Sequence, residues 1–323
     1  MVKNSTVDAM VIWRLVDGKV GHEHQSAGLI AAIQQRKTVQ VYEIMVSNAM
    51  DGLVAWLSKT WHWGAHLPAP DLIIGAGHKT HMHMLAAKRA YGGKTVCLMQ
   101  PTLPVWMFDV CLIPEHDAYQ GWGSYIETRG VLNHIFADNT ARESNRAVIL
   151  VGGPSKHFIW DTAKVVTQIY ALLHQNPETH YVLTTSRRTP ENFVKAMQLV
   201  DLPNVEMVPF SRTDKDWVSR ELNRVANVWV TEDSISMIYE GLTAHAAVGL
   251  INLECKKPTR VGLGVQRLVG KGLVRRFDVS GSYRAALQPA YGFNEAQRCS
   301  DLLLKHLFQP AVGKKTRLAY RLA

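Results

Sequence analysis

Between Ala226 and Ala244 the chain reads ANVWVTEDSISMIYEGLTA, the stretch around which the rest is arranged. Val228 to Val230 suggest a short apolar strand. Thr231, Glu232, Asp233, Ser234 and Ser236 fill the turn, and a helix opens near Ser234 or Ile235. Hydroxyls and orphan backbone N–H groups at a helix start attract anions, because the free donors and the helix dipole both favour phosphate. Glu240 follows Ser236 by one turn, ~5.4 Å along the same face, where a carboxylate can accept hydrogen bonds from a ribose diol. Phosphate and sugar together are nucleotide chemistry. The same residues also suit an ordinary cap, with Asp233 or Ser234 satisfying the first turn, so the assignment depends on the company they keep.

That company comes from two more loops of the second half. The strand Ala147 to Val151 runs into GGPSKHF, where Gly152, Gly153, Ser155 and Lys156 make a candidate phosphate cradle ahead of a helix. It is not the P-loop, whose GxxxxGK[ST] spacing is absent. The strand His180 to Thr184 enters TTSRRTPENF, in which Ser186, Arg187 and Arg188 offer hydroxyl and fork-like donors and Pro190 suits a first helical position. In a parallel doubly wound sheet, loops that follow strands and open helices share the carboxyl edge, where such sheets bind ligands. Three loops pointing to one edge carry more than any one of them.

The first half supplies a second set of reactive groups. Met10 to Val16 is a strand that ends in DGKVGHEHQ, one loop crowded with Asp17, Lys19, His22, Glu23 and His24. Asp17, His22 or Glu23 can serve as a general base, and geometry decides among them. A helix follows through Ala27, Ile30, Ala31 and Ile33. Further strands are expected at Val39 to Met45, Asp71 to Gly75, Thr95 to Gln100 and Val110 to Ile113. Gly75 and Gly77 permit close backbone approach before His78. His78, His81 and His83 lack the carboxylate or fourth ligand that a metal site needs, so no metal is expected. Leu53, Val54, Trp56, Leu57, Trp61 and Trp63 read first as core and second as a boundary with membrane or a lipid-linked acceptor.

The elements that hold these groups fit an α/β fold of two Rossmann-like domains, parallel sheets with helices on both faces. Its 323 residues allow domains at 1–145 and 146–290, then a helix from Phe293 to Phe308 that packs back on the first domain and a basic tail. Residues 119–145 read as an irregular linker. The second half should add a helix with Ile159, Ala163, Val166, Tyr170 and Leu173 on its apolar face. It should also add strands at Val205 to Phe210, Ala247 to Ile251 and Thr259 to Gly262, and a helix from Asp214 to Ala226. A hydrophobic content of 47% and a charged content of 20% suit a globular protein, and no apolar run is long enough to span a bilayer. Cys97, Cys111, Cys255 and Cys299 have no paired spacing, which points to a reduced compartment. With no signal-peptide core at the start, a cytoplasmic protein is expected. The net charge of +9 calls for acidic partners: nucleotides, nucleic acid or an anionic membrane surface. The basic residues are dispersed and carry no RNA-binding signature, so nucleic acid is not expected as a partner.

WRLVDGKVGHEHQ, TSRRTP and VTEDSISMIYEG together resemble the mitochondrial-fission "elongated mitochondria" family, plant proteins with many bacterial relatives classed as glycosyltransferases. The resemblance runs from Trp13 to the neighbourhood of Arg260. It implies the GT-B architecture: two Rossmann-like domains facing across a cleft, with a nucleotide-sugar donor on the C-terminal one. It further implies that Ser155, Ser186, Arg187, Ser234, Ser236 and Glu240 touch the nucleotide. The loop from Asp17 to His24, with Lys19, would belong to the acceptor side, as would Gly77 and His78. The family's first loop usually has proline where Val20 stands and asparagine where His24 stands. Bacterial members are linked to lipopolysaccharide or lipooligosaccharide core assembly, which implies a glycan or glycolipid acceptor at the inner membrane. The chemistry expected is glycosyl transfer, with the nucleotide-sugar as co-substrate and no cofactor. Arg187, Arg188, Lys156 and the helix start at Ser234 would steady the departing diphosphate in place of a metal. Asp214 and Asp216 flank a lysine at a helix start and form no convincing metal-binding pair. A nucleotide-sugar epimerase of the same fold and a non-catalytic membrane-associated scaffold are the alternatives. A scaffold has no need to keep Ser155, Arg187, Ser234 and Glu240 together.

Overall fold

The computed structural model describes residues 9–138, 140–257, 259–281 and 286–308, and the backbone of a two-residue strand at 319–320. The basic residues Lys314, Lys315, Arg317 and Arg321 of the tail lie outside the described residues. In chain order the first half runs β1 (Met10–Val16), α1 (Val20–Gln34), β2 (Val39–Met45), α2 (Ala49–Ser58), β3 (Leu72–Ala76), α3 (His78–Tyr91), β4 (Lys94–Leu98), β5 (Val110–Pro114) and β6 (Tyr125–Thr128). The second half continues with β7 (Glu143–Leu150), β8 (Phe158–Ile159), α4 (Thr162–Gln175), β9 (His180–Thr184), α5 (Glu191–Gln198), β10 (Val205–Val208), α6 (Trp217–Arg224) and β11 (Val225–Thr231). Then follow α7 (Ile235–Thr243), β12 (Ala247–Ile251), β13 (Glu254–Cys255), α8 (Arg260–Gly270), β14 (Val274–Arg276), α9 (Glu295–Phe308) and β15 (Ala319–Tyr320). Two compact units result, 1–134 with 295–323, and 135–294.

The first unit is built on a parallel sheet of order β15-β6-β5-β4-β3-β1-β2. Strand alternation sorts β1 between two helical layers. Trp13 and Leu15 enter a core with Ala55 of α2 and Met84 and Leu85 of α3. Arg14 turns the opposite way, donating to Ser26 Oγ at 3.0 Å and to the Glu23 carbonyl at 2.6 Å in α1. The tryptophans divide likewise. Trp61 is buried against Trp13 at 5.4 Å between ring centroids, whereas Met50, Val54 and Leu57 of α2 stay 59–64% exposed. No helix among the described residues is long and apolar enough to cross a membrane. Helix α9 joins this unit through Arg36–Asp301 at 2.8 Å and through the Glu295 carboxylate, which accepts from the Arg129 N–H at 2.9 Å. The stretch read as an irregular linker contains β6, which pairs in parallel with β5.

The second unit has a parallel sheet of order β10-β9-β7-β11-β12-β14. Gly241 lets α7 lie close to it: a Cβ there would come within 2.9 Å of Val228 and 3.0 Å of Val248. Residues 135–142 already belong here, ahead of the 145/146 boundary expected from sequence. Asn223 donates to the Phe136 carbonyl at 2.9 Å, and the Arg142 guanidinium donates to the carbonyls of Leu222 and Val225 at 2.7 Å each and to that of Ala244. Arg142→Ala strips three carbonyls of a charged donor. It is expected to cost about 2–4 kcal/mol, read as a lower urea midpoint at unchanged slope.

Two local expectations are corrected. Thr259 to Gly262 is not a strand but the start of α8, because the Thr259 hydroxyl caps the Gly262 N–H at 3.1 Å and overrides the residue's β preference. The helix expected from Ile159 begins only at Thr162, since Phe158 and Ile159 pair antiparallel with β13. Within α4 the buried apolar side chains are Val165, Ile169, Leu172 and the expected Leu173, while Ala163 and Tyr170 are exposed.

Candidate functional site

The carboxyl ends of β7, β9 and β11 are bonded into one polar edge. The Gly152 N–H donates to Thr231 Oγ1 at 2.8 Å, and the Gly153 N–H donates to Asp233 Oδ2 at 2.9 Å. From the β9 side, Ser186 Oγ and Thr189 Oγ1 both donate to the Gly152 carbonyl, at 2.9 and 2.5 Å. Glycine is required at both positions. A Cβ on Gly152 would overlap the Asp233 carboxylate, and one on Gly153 would overlap the Arg188 carbonyl.

Arg188 is consumed by this scaffold. Its Nη2 lies 2.8 Å from Asp233 Oδ2, and its Nη1 donates to the carbonyls of Gly153 and Pro154 at 2.9 and 3.1 Å. Sequence alone assigns Arg188 to a phosphate; the geometry gives it to the loop. Arg187 rests its guanidinium over the Phe210 ring at 5.3 Å and has no hydrogen-bond or ion-pair partner among the described residues. Pro190 stands at the N-cap of α5, one position before the expected one.

The GGPSKH segment does not open a helix. Ser155 Oγ accepts from the N–H groups of His157 and Phe158 at 3.2 and 3.1 Å, a turn that feeds β8, and α4 is capped separately by Asp161. Lys156 is exposed, and Lys256 donates to the Ser155 carbonyl at 2.9 Å.

Helix α7 does start where the sequence placed it. Ser234 takes the N-cap position without a side-chain capping bond, Ser236 is exposed, and Glu240 lies half-buried one turn on. The Glu240 carboxyl has no hydrogen-bond or ion-pair partner among the described residues, and desolvation pushes it up to about 7. An unfolded glutamate titrates near ~4.3, so between that value and about 7 the native state holds the extra proton and stability falls as pH rises. Glu240→Gln removes this loss. Its melting temperature should therefore gain on that of the wild type as pH rises from about 5 to about 8.

Glu232, unused by the sequence reading, is buried in the same turn. Its Oε2 accepts from the Leu253 N–H at 2.8 Å, and its Oε1 pairs with Arg276 Nε at 2.7 Å. The available signals were two consecutive acids at a strand end and the Arg275-Arg276 pair.

In the first unit, Asp17, His22 and Gly77 come together. The Asp17 side chain is fully buried, and His22 Nδ1 lies 3.0 Å from its Oδ2. Facing a carboxylate, Nδ1 is the protonated nitrogen, which leaves Nε2 to accept a proton. Gly77, at φ +87°, closes the group: a Cβ there would overlap the His22 ring and lie 2.9 Å from Asp17 Oδ2. Because α1 begins at Val20, His22, Glu23 and His24 are helical and not loop residues. No contact among the described residues ties the Glu23 carboxylate to the pair. Lys19 and His78 are exposed beside it in sequence. His81 is buried and driven down to about 4 by burial, then by His78 and His22. His83 is structural, taking the Trp61 indole N–H on Nδ1 at 3.1 Å and facing the Asn48 carbonyl with Nε2 at 2.8 Å. No three His, Cys, Asp or Glu side chains converge as metal ligands among the described residues.

Comparison with known proteins gives the family and the fold. The family model described as "Mitochondrial fission ELM1" matches residues 20–307. The uncharacterized protein RP120 of Rickettsia prowazekii (strain Madrid E) is 22% identical, covering 91% of this chain and 98% of its own. Among solved structures, a UDP-N-acetylglucosamine 2-epimerase superposes with a TM-score of 0.56 at 12% identity over 92% of this chain and 96% of its own. The UDP-GlcNAc 2-epimerase of Neisseria meningitidis bound to UDP-GlcNAc gives 0.53 at 11% identity over 92% and 99%. These likenesses show the fold, two parallel α/β units of the GT-B class.

Proposed function

The chain belongs to the mitochondrial fission ELM1 family, and from that premise we propose that it is a glycosyltransferase using a nucleotide-sugar donor. The observation that carries the reading is Glu240, a desolvated carboxyl without a protein partner among the described residues, one turn inside an uncapped helix at a sheet's carboxyl edge. Such a group suits a ribose diol. The N–H groups of Ile235 and Ser236 at the start of α7, with Arg187 and Lys156, suit the diphosphate. On the acceptor side, His22 Nε2 takes the proton of a sugar hydroxyl while Asp17 holds the imidazolium. The freed oxygen bonds to the anomeric carbon, and the bond to the nucleoside diphosphate breaks. The net charge of +9 supports an acidic cell-envelope glycan or glycolipid such as lipopolysaccharide or lipooligosaccharide core. The exposed Met50, Val54 and Leu57 support peripheral work at the cytoplasmic face of the inner membrane.

The test is a thermal-shift panel of UDP, GDP, CDP, ADP and dTDP and their sugars, CMP-linked sugars included. A ligand at about 100 times its Kd stabilises by ~2.7 kcal/mol, and Glu240→Gln should forfeit most of that. A donor converted to an isomeric nucleotide-sugar without acceptor would instead mark an epimerase. Silence of folded protein across the panel would leave a scaffold.

A further inference from the structure

Glu232 and Asp233 are consecutive, both side chains are buried to within 1% of complete, and each holds an arginine that is 43% exposed. They hold them on different flanks: Asp233 grips Arg188 from the loop after β9, and Glu232 grips Arg276 at the end of β14. The two arginines are not equivalent. Arg188 spends both terminal nitrogens on the protein. Arg276 spends only Nε, and its two terminal nitrogens have no partner among the described residues.

Register fixes where Arg276 points. Helix α7 packs on Val228 and Val248, as the space around Gly241 shows. Val248 pairs with Val274, and Leu250 pairs with Arg276. Alternation by two therefore puts Arg276 on the face that carries α7, one step short of the carboxyl edge. A buried carboxylate that orients a guanidinium while leaving its outer fork open is a device for presenting that fork to an anion.

We propose that Arg276 is a donor-binding residue, presented by Glu232 beside the start of α7 to an anionic group beyond the ribose. That group is either the distal phosphate or a carboxylate on the transferred sugar. The assignment rests on the nucleotide-sugar reading of the α7 edge. It adds a cation from a strand that none of the loops singled out in the sequence includes.

The experiment compares wild type, Arg276→Gln and the double variant Glu232→Gln/Arg276→Gln by calorimetric titration. Probes are uridine, UMP, UDP, UDP-glucose and UDP-glucuronate, with the matching series for guanosine, cytidine and adenosine. The double variant keeps an acceptor for the Leu253 N–H and buries no lone charge, so it guards against simple misfolding. A loss of at least about tenfold for the diphosphate with nucleoside affinity unchanged supports the phosphate. The same loss confined to the glucuronate-type donor supports the sugar carboxylate. Wild-type affinity for every anionic probe in both variants overturns the assignment, and so does an equal loss for the nucleoside. If wild type itself binds no member of any series, the nucleotide-sugar reading fails and takes this one with it.

Discussion

Replacing His22 with alanine should lower turnover of the nucleotide-sugar by at least ~100-fold while leaving nucleotide affinity and melting temperature near wild type. The imidazole is half-buried and its Nδ1 is fixed by a fully buried carboxylate, so Nε2 is the only ring atom left for proton transfer. Asp17→Asn tests the orientation rather than the base. An amide at 3.0 Å can present N–H where the carboxylate accepted, which forces the ring to the other tautomer or turns it away. The rate should fall by ~10²–10⁴ with KM little changed. Glu23→Gln, whose carboxylate no contact among the described residues ties to the pair, should keep the wild-type rate. Equal losses in all three variants would assign the effect to the fold of the segment and not to the pair.

Much of the frame is legible because it is written locally. MVIWRLV, AVILV and AVGLI are short apolar runs bounded by glycine or polar turns, and each became a parallel strand. Arg14 shows where local reading stops: it lies mid-strand, and only the third dimension supplies Ser26 and the Glu23 carbonyl as partners. The candidate site follows the same division. That three loops end strands of one sheet is legible. What Arg188 does is not, because Asp233 comes from a different loop. GGPSKHF looks like a helix start until β13 arrives from later in the chain to pair with β8. Gly77 and His22 belong to separate βα units, and their close approach follows from the order β3-β1 in the sheet. Glu240 was legible as a face position, but its solvation was not: spacing gives an angle around a helix, while burial depends on what the helix packs against.

Asp233→Ala should destabilise the second unit strongly. It removes the acceptor of the Gly153 N–H and the counter-ion of Arg188 at one stroke, leaving a buried donor unmet and a guanidinium facing carbonyls alone. Breaking a fully buried pair costs about 3–5 kcal/mol. Arg188 is 43% exposed and regains some water, which brings the expectation to about 2–3 kcal/mol in urea unfolding. Asp233→Asn separates the two losses. The second carboxylate oxygen, Oδ1, has no hydrogen-bond partner among the described residues, so an amide nitrogen placed there forfeits no bond. The amide oxygen, left in the place of Oδ2, still accepts from the Gly153 N–H. The ion pair is then lost and the buried amide N–H groups find no acceptor among the described residues, at a cost of about 1–2 kcal/mol. Combining either change with Arg188→Ala closes a double-mutant cycle. Strong coupling with Arg188 would show that the acid after Glu232 holds the loop in shape. Independent effects would mean that Asp233 acts on the Gly153 backbone alone, and Arg188 would then be free to meet a phosphate after all.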